Sequence, residues 1–344
     1  MKILAAAMGV LMAGLTLPGA RSAELSAADL ARLSPAQIEE RLPHVHPAAY
    51  LEYAARLWGE AKADEAVFWF YAGQLRYRFH LAANPKLPPD GEPALFGALH
   101  ATWGEPINLY AGGDPEKWQQ QIERALAWDE KTPNGFTAKT QHAAALATVR
   151  AGLLKLRDYV RDNRESMRAQ RAQQGIGRVG FFDGVYVEER NAKMPAAWPA
   201  LASAPTLDQL AGTYDASFAT RLGSVFFFLT QRNLAQAGAM RVRVVGSGDL
   251  EVTALAGERE VERRLVNVRK EDGGFVFTEE YPGSTAGVAE GRQRITVWLR
   301  PNSEGELVLQ RQAIIEGRTD GKSRPVRLET TTWSRAKRIG EAAR

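Results

Sequence analysis

The sequence predicts an α+β protein, with an all-helical N-terminal domain followed by a C-terminal antiparallel β-barrel or sandwich. Two patterns carry this prediction. Between residues 47 and 173 apolar side chains recur at intervals of three and four, which is typical of the buried face of a helix. After residue 206 apolar and polar side chains alternate in short segments, which is typical of strands with one buried face. No helix of useful length is predicted between these strands, so neighbouring strands should pair antiparallel.

Domain boundaries follow from the same change in pattern. The chain of 344 residues is long enough for two domains. Residues 175–184 are rich in glycine and residues 194–205 are rich in proline and alanine, which predicts a joint and a linker. We therefore expect a helical domain at 23–174, the joint and linker at 175–205, and a β domain at 206–340.

The first 22 residues have the composition of a secretory signal peptide. Lys2 supplies a positive charge and residues 3–17 are apolar. Ala20 and Ser22, or Ala23, are the small residues that are candidates for the cleavage site. A membrane anchor is the alternative, but the apolar run is shorter than the roughly 20 residues that span a bilayer. This segment predicts that the protein is exported. The short signal and the absence of cysteine favour the bacterial periplasm as the compartment.

Composition excludes several classes of function. The absence of cysteine excludes disulfides, thiolate metal sites and thiol catalysis. The formal net charge is +4 and is evenly spread, which gives no basis for expecting nucleic acid as a partner. No later apolar run is long enough for a bilayer, so no membrane span is expected after signal removal.

The helical domain is predicted to be organised around residues 47–81, which form two helices and a short polar turn. Pro47 suits the start of the first helix, where its missing N–H is not needed. The second helix is apolar on almost every side over residues 67–71. Such a helix must be covered by more than one neighbour, so this pair is the expected nucleus of the domain.

Further helices are predicted along the rest of this domain. One begins at Pro93, with a separate short turn or helix at 106–110, and another begins at Pro115, where Asp114 is the expected cap. A turn is predicted at 132–135, and one long helix is predicted at 140–173.

The central pair resembles a tetratricopeptide-like helical repeat hairpin. Small and large residues occupy the positions where the two helices of such a repeat cross, and these are Ala54, Ala55, Arg56, Leu57, Gly59, Glu65, Ala66, Trp69 and Ala72. The resemblance covers this one hairpin, without a clear second copy. Repeats of this kind are interaction scaffolds, so the resemblance implies a protein-binding surface on the helical domain.

The start of the β domain is similar to that of a lipocalin-type barrel. Residues 210–214 read Leu-Ala-Gly-Thr-Tyr, close to the glycine-aromatic entry motif of that family, with Tyr214 where the family has tryptophan. The resemblance implies a small barrel that binds an apolar small molecule or lipid. Three consecutive phenylalanines at 226–228 also favour the binding of an apolar molecule. An ordinary antiparallel barrel or sandwich without a ligand is the alternative.

His44 and His46 are the metal-ligand candidates in the sequence. In an extended segment residues two apart point the same way, so both imidazoles could face one ion. Prolines on both sides indicate a rigid connector instead, and no third ligand stands next to them. His80, His100 and His142 stand alone on predicted helices. No metal and no other cofactor is therefore expected.

Motifs for catalysis or nucleotide binding are missing. Residues 175–180 match Gly-x-Gly-x-x-Gly, but a charged helix precedes them and a predicted strand follows, the reverse of the order that a dinucleotide site needs. There is no Gly-x-Ser-x-Gly, and the adjacent carboxylates lie along the chain rather than across a cleft. No catalytic residue is predicted, and a hydrolase with dispersed catalytic residues stays open as an alternative.

One end of the second central helix is a candidate binding surface, formed by Trp69, Arg76, Tyr77, Arg78 and His80. Arginines that alternate with aromatic residues suit a groove for a peptide or an anionic partner. The alternative is that the aromatic side chains belong to the core. With no catalytic motif present, we favour a non-enzymatic binding or scaffold protein whose partner is another envelope protein or a peptide.

Overall fold

A computed structural model describes residues 25–215, 237–246, 248–282, 288–319 and 324–340. The predicted signal peptide and the phenylalanines at 226–228 lie outside these residues. Within the described ranges eight helices are followed by twelve strands, so the α+β class is confirmed. None of the helices described is both long enough and apolar enough to cross a membrane.

Contacts divide the chain into two units. The first consists of the chain up to Arg171 together with Arg178–Tyr186. The second consists of Ala172–Gly177 together with the chain from Val187 onward.

The helices carry the following bounds: α1 (Ala27–Arg32), α2 (Pro35–Arg41), α3 (Ala48–Gly59), α4 (Ala63–Ala83), α5 (Glu92–Ala111), α6 (Pro115–Lys131), α7 (Ala143–Asp162) and α8 (Arg164–Gln173). A short 3-10 helix at Leu42–His44 leads to α3. The predicted central pair corresponds to α3 and α4.

Helix α4 is the centre of the helical unit. It packs against α3, α5, α6 and α7, which explains why so many of its side chains are apolar or buried. It lies close to α3 at Gly73, where a Cβ atom would lie 2.8 Å from the Cβ of Tyr50. The absence of a side chain at Gly73 therefore lets the two helices pack closely.

The later helices differ from the prediction in two places. The expected long helix at 140–173 is two helices, because Asn163, with φ of −115° and ψ of 17°, leaves the helical conformation between α7 and α8. The separate turn expected at 106–110 belongs to α5, which contains Pro106 within its length. The cap at Asp114 is confirmed, since its side chain accepts from the N–H of Lys117 at 3.0 Å.

The glycine-rich segment expected as a joint forms two strands, β1 (Ile176–Phe182) and β2 (Val185–Asn191). Asp183 and Gly184 between them have φ values of 50° and 80°. Two consecutive residues with positive φ form the tight turn that best matches the twist of paired strands. The glycines of this segment therefore form part of a hairpin, in the stretch of chain where the division between the two units falls.

The remaining strands are β3 (Gly212–Asp215), β4 (Ala239–Val245), β5 (Asp249–Ala256), β6 (Arg259–Asn267), β7 (Arg269–Glu271), β8 (Gly274–Pro282), β9 (Val288–Pro301), β10 (Leu307–Thr319), β11 (Pro325–Ala336) and β12 (Arg338–Gly340). The twelve described strands form a seven-stranded sheet in the order β1-β2-β11-β10-β9-β8-β7 and a five-stranded sheet in the order β12-β3-β4-β5-β6. The ladders from β7 to β11 and those of the second sheet are antiparallel, as predicted.

The two sheets share one apolar core. Val242 and Val252 of the smaller sheet and Val297 and Leu309 of the larger sheet belong to the same buried cluster. The chain crosses between sheets at Val268, between β6 and β7, so the described strands form two sheets rather than one closed barrel. Of the two predicted architectures, the sandwich is the one that these residues form.

Candidate functional site in the helical unit

Three titratable side chains from separate parts of the helical unit converge. His46 lies between the 3-10 helix and α3, His80 lies in the last turn of α4, and Glu92 is the first residue of α5. One nitrogen of each histidine and one carboxylate oxygen of Glu92 all lie within 4.8 Å of one another. We call these three residues the His–Glu cluster, and all three are partly buried.

The tautomer of His46 follows from its two hydrogen bonds. Its Nδ1 accepts from the backbone N–H of Ala48 at 3.1 Å, in the first turn of α3. A neutral imidazole has one donor and one acceptor nitrogen, so the proton lies on Nε2. That nitrogen is 2.9 Å from Oε2 of Glu92 and donates to it. His46 thus joins the start of α3 to the start of α5.

Glu92 receives a second hydrogen bond, from a side chain of α4. The hydroxyl of Tyr77, which is fully buried in α4, donates to the same Oε2 atom at 2.5 Å. Burial and the hydrogen bond to Glu92 raise the pKa of Tyr77 far above its usual value, so Tyr77 remains a donor. The carboxylate is therefore held from two sides.

His80 is held by its Nδ1 atom, which lies 3.1 Å from Oγ1 of the buried Thr137. Asn84 donates from its side-chain amide to the carbonyl of His80 at 2.8 Å. Burial, followed by the nearby His46, lowers the pKa of His80 below its usual value. The imidazole of His80 is therefore neutral at neutral pH.

The turn after α6 supplies one wall of the cluster. The side chain of Asn134 accepts from the N–H groups of Phe136 and Thr137 at 3.2 and 3.0 Å, which shapes this turn. The Phe136 ring lies 4.9 Å from that of His46 and 5.0 Å from that of His80, measured between centroids. An apolar ring against both imidazoles limits the access of water to the cluster.

The structure separates the two histidines that the sequence pairs. His46 belongs to the His–Glu cluster, whereas His44 is exposed and lies against Gly135. The pair therefore does not face a common point. Instead His46 meets His80, which had been expected to stand alone on its helix.

The five residues of the predicted binding surface do not share one exposed face. Trp69, Arg76 and Tyr77 are buried, because four helices surround α4. Arg78 is exposed, and His80 is partly buried in the His–Glu cluster. Trp69, Arg76 and Tyr77 therefore belong to the core of the helical unit, which is the alternative interpretation of their sequence pattern.

Sequence reasoning missed Glu92 and Thr137. Glu92 precedes a proline at a helix start, where an acidic residue is ordinary, and Thr137 follows a turn. The one available signal was the set of histidines without an assigned role. The partners of these histidines can be identified only from the tertiary structure, since 46 residues separate His46 from Glu92.

A second feature of the unit is the outer face of α5. Residues 93–104 contain no Asp, Glu, Lys or Arg. Ala94, Leu95, Gly97, Ala98 and Ala101 are nevertheless exposed, and Leu95 is 39% exposed. This outer face is uncharged over more than two helical turns.

Comparison of this chain with protein-family models, with curated proteins and with solved structures finds no match in any of the three.

Proposed function

We propose that this chain is an exported, non-enzymatic binding protein of the bacterial envelope, whose helical unit binds another protein through the outer face of α5. The observation that carries the proposal is the uncharged exposed run from Ala94 to Ala101. A surface helix normally carries charged residues on its solvent side, and an uncharged exposed face is typical of an interaction surface. The resemblance of α3 and α4 to a scaffold repeat agrees with this function.

The size of the side chains indicates the kind of partner. A Cβ atom built at Gly97 would meet nothing within 4 Å, so the space above it is open. Alanine and glycine on this face allow the backbone of a partner to come close, and Leu95 offers one larger apolar contact. A helix of another envelope protein with small and apolar residues on one side fits this face.

The test is a photo-crosslinking residue placed at Ala98 of the full-length chain, produced in the bacterium from which it comes. We expect one specific adduct, whose protein is then identified and purified. Ala98→Arg should weaken the binding of that purified protein about tenfold or more, because the arginine places a charge in a close helix contact.

A matched control is Ala169 in α8, which is also exposed but is surrounded by charged residues. A crosslinker at Ala169 should give no adduct, and Ala169→Arg should leave the affinity unchanged. Equal adducts at both positions, or full affinity after Ala98→Arg, would contradict the proposal. Both alanines are exposed, so neither change should unfold the protein.

Two other functions remain hypotheses. The lipocalin-like binding of an apolar molecule depends on the interior of the β unit, where the described side chains of both sheets pack against one another. A hydrolase with dispersed residues would need a nucleophile beside the His–Glu cluster. No specific contact favours either function over protein binding.

A further inference from the structure

We propose that His46, His80 and Glu92 bind a divalent transition-metal ion, with Zn²⁺ as the test ion. The residues of this proposed site differ from those of the proposed protein-binding face of α5.

The ligand set is one that such ions prefer. Two imidazoles and one carboxylate are common protein ligands of zinc, and three protein ligands leave one position open for water. In a tetrahedral site the ligand atoms are roughly 3.3 Å apart. The cluster atoms now lie within 4.8 Å of one another, so small side-chain rotations bring them to that separation.

The surroundings hold two of the ligands in a suitable orientation. Nδ1 of His80 lies 3.1 Å from Oγ1 of Thr137 and 3.3 Å from the side-chain amide nitrogen of Asn84. An amide nitrogen can only donate, so Nδ1 either accepts from Asn84 or donates to Thr137, and an ion bound at Nε2 selects the tautomer in which Nδ1 donates to Thr137. The hydroxyl of Tyr77 holds Oε2 of Glu92.

His46 must change its tautomer when the ion binds. Its Nε2 proton now points at Glu92, and the ion has to take the place of that proton. The proton moves to Nδ1, and Nδ1 then releases the N–H of Ala48. Metal binding should therefore loosen the first turn of α3, a signature that an ion on the protein surface would not produce.

The experiment is a calorimetric titration of the untagged, chelator-treated full-length chain with zinc chloride at neutral pH. We expect binding of one ion per chain. His46→Gln, His80→Gln and Glu92→Gln should each weaken the affinity about tenfold or more. His44→Gln is the matched control, since His44 is two residues from His46 but outside the cluster, and it should bind zinc like the wild type.

Two further measurements distinguish zinc held by the cluster from zinc bound loosely at the protein surface. Zinc X-ray absorption of the complex should show nitrogen and oxygen ligands, and hydrogen exchange at Ala48 should become faster with zinc. Ala98→Arg should bind zinc normally, so failure of the protein-binding proposal would not affect this one. The absence of zinc binding by the wild type, or equal affinity in all three cluster variants and the wild type, would overturn the proposal.

Discussion

Nε of Arg76 lies 2.8 Å from Oδ1 of Asp129, and both side chains are almost fully buried, at 2% and 1% exposure. Neither atom has a well-aligned hydrogen bond, so the attraction between them is mainly Coulombic. The two Nη atoms of Arg76 donate to the carbonyls of Thr132 and Pro133 at 3.0 Å each. Arg150 also donates to Asp129, at 2.8 Å. Asp129, near the end of α6, thus forms ion pairs with one arginine of α4 and one of α7.

We predict that Asp129→Asn lowers the free energy of unfolding of the helical unit by about 3–5 kcal/mol, because it leaves buried Arg76 without its counter-charge. Urea unfolding followed by circular dichroism at the helical band measures this. Glu130→Gln is the control, since that side chain is 74% exposed, and it should change stability by less than about 0.5 kcal/mol. If both variants unfolded at the wild-type urea concentration, the ion pair would have no structural role.

Two helical glycines should respond oppositely to alanine. Gly73→Ala places a Cβ atom 2.8 Å from that of Tyr50, so we expect a loss of about 1–3 kcal/mol from overpacking. Gly97→Ala meets nothing within 4 Å on the surface of α5, and should raise stability by about 0.5–1 kcal/mol through helix propensity. The thermal midpoints of the two variants measure the difference. A stabilising Gly73→Ala would show that α3 and α4 do not cross closely there.

The pH dependence of stability should report the environment of His80. Its pKa is lower in the folded chain than in the unfolded chain, because burial and His46 disfavour the charged ring. The unfolded state therefore binds more protons as the pH falls through about 6.5, and stability falls with it. The groups that face His80 are His46, Glu92, Thr137 and Asn84.

His80→Gln should remove this part of the pH dependence. The unfolding free energy of the wild type should fall more than that of the variant between about pH 7.5 and 5.5, measured by urea titration at each pH. His142→Gln, in the same unit but outside the cluster, should keep the wild-type slope. An unchanged slope in His80→Gln would show that another group titrates in this range.

Tyr214 should contribute to the β unit through its hydroxyl. This group donates to the carbonyl of Leu210 at 3.0 Å and accepts from Arg338 at 3.1 Å, and Tyr214 is buried. Tyr214→Phe should cost about 1–2 kcal/mol, because the buried carbonyl loses its donor. Calorimetric unfolding measures this, and Tyr159→Phe, at an exposed position in α7, should show no change. A similar loss in both variants would contradict a specific role of this hydroxyl.

Much of the fold could be predicted because it depends on local patterns. The apolar run at 67–71 predicts a helix with several neighbours, and α4 has them. The alternation of Ile295, Val297 and Leu299 with Thr296 and Trp298 predicts a strand with one buried face. The first three side chains are buried in the core of the β unit. At Gly184 the local signal indicates only a break in the pattern, and the positive φ of this residue belongs to the turn between β1 and β2.

The sequence by itself determined the class of the fold and the position of most helices and strands, because the periodicity of apolar residues is a property of neighbouring positions. Only the tertiary structure decided which distant side chains meet. His46, His80 and Glu92 come together because α3, α4 and α5 cross at one end, and Arg76 is buried because Asp129 and four packed helices surround it. Contacts of this kind depend on how whole helices pack, which no single stretch of sequence encodes.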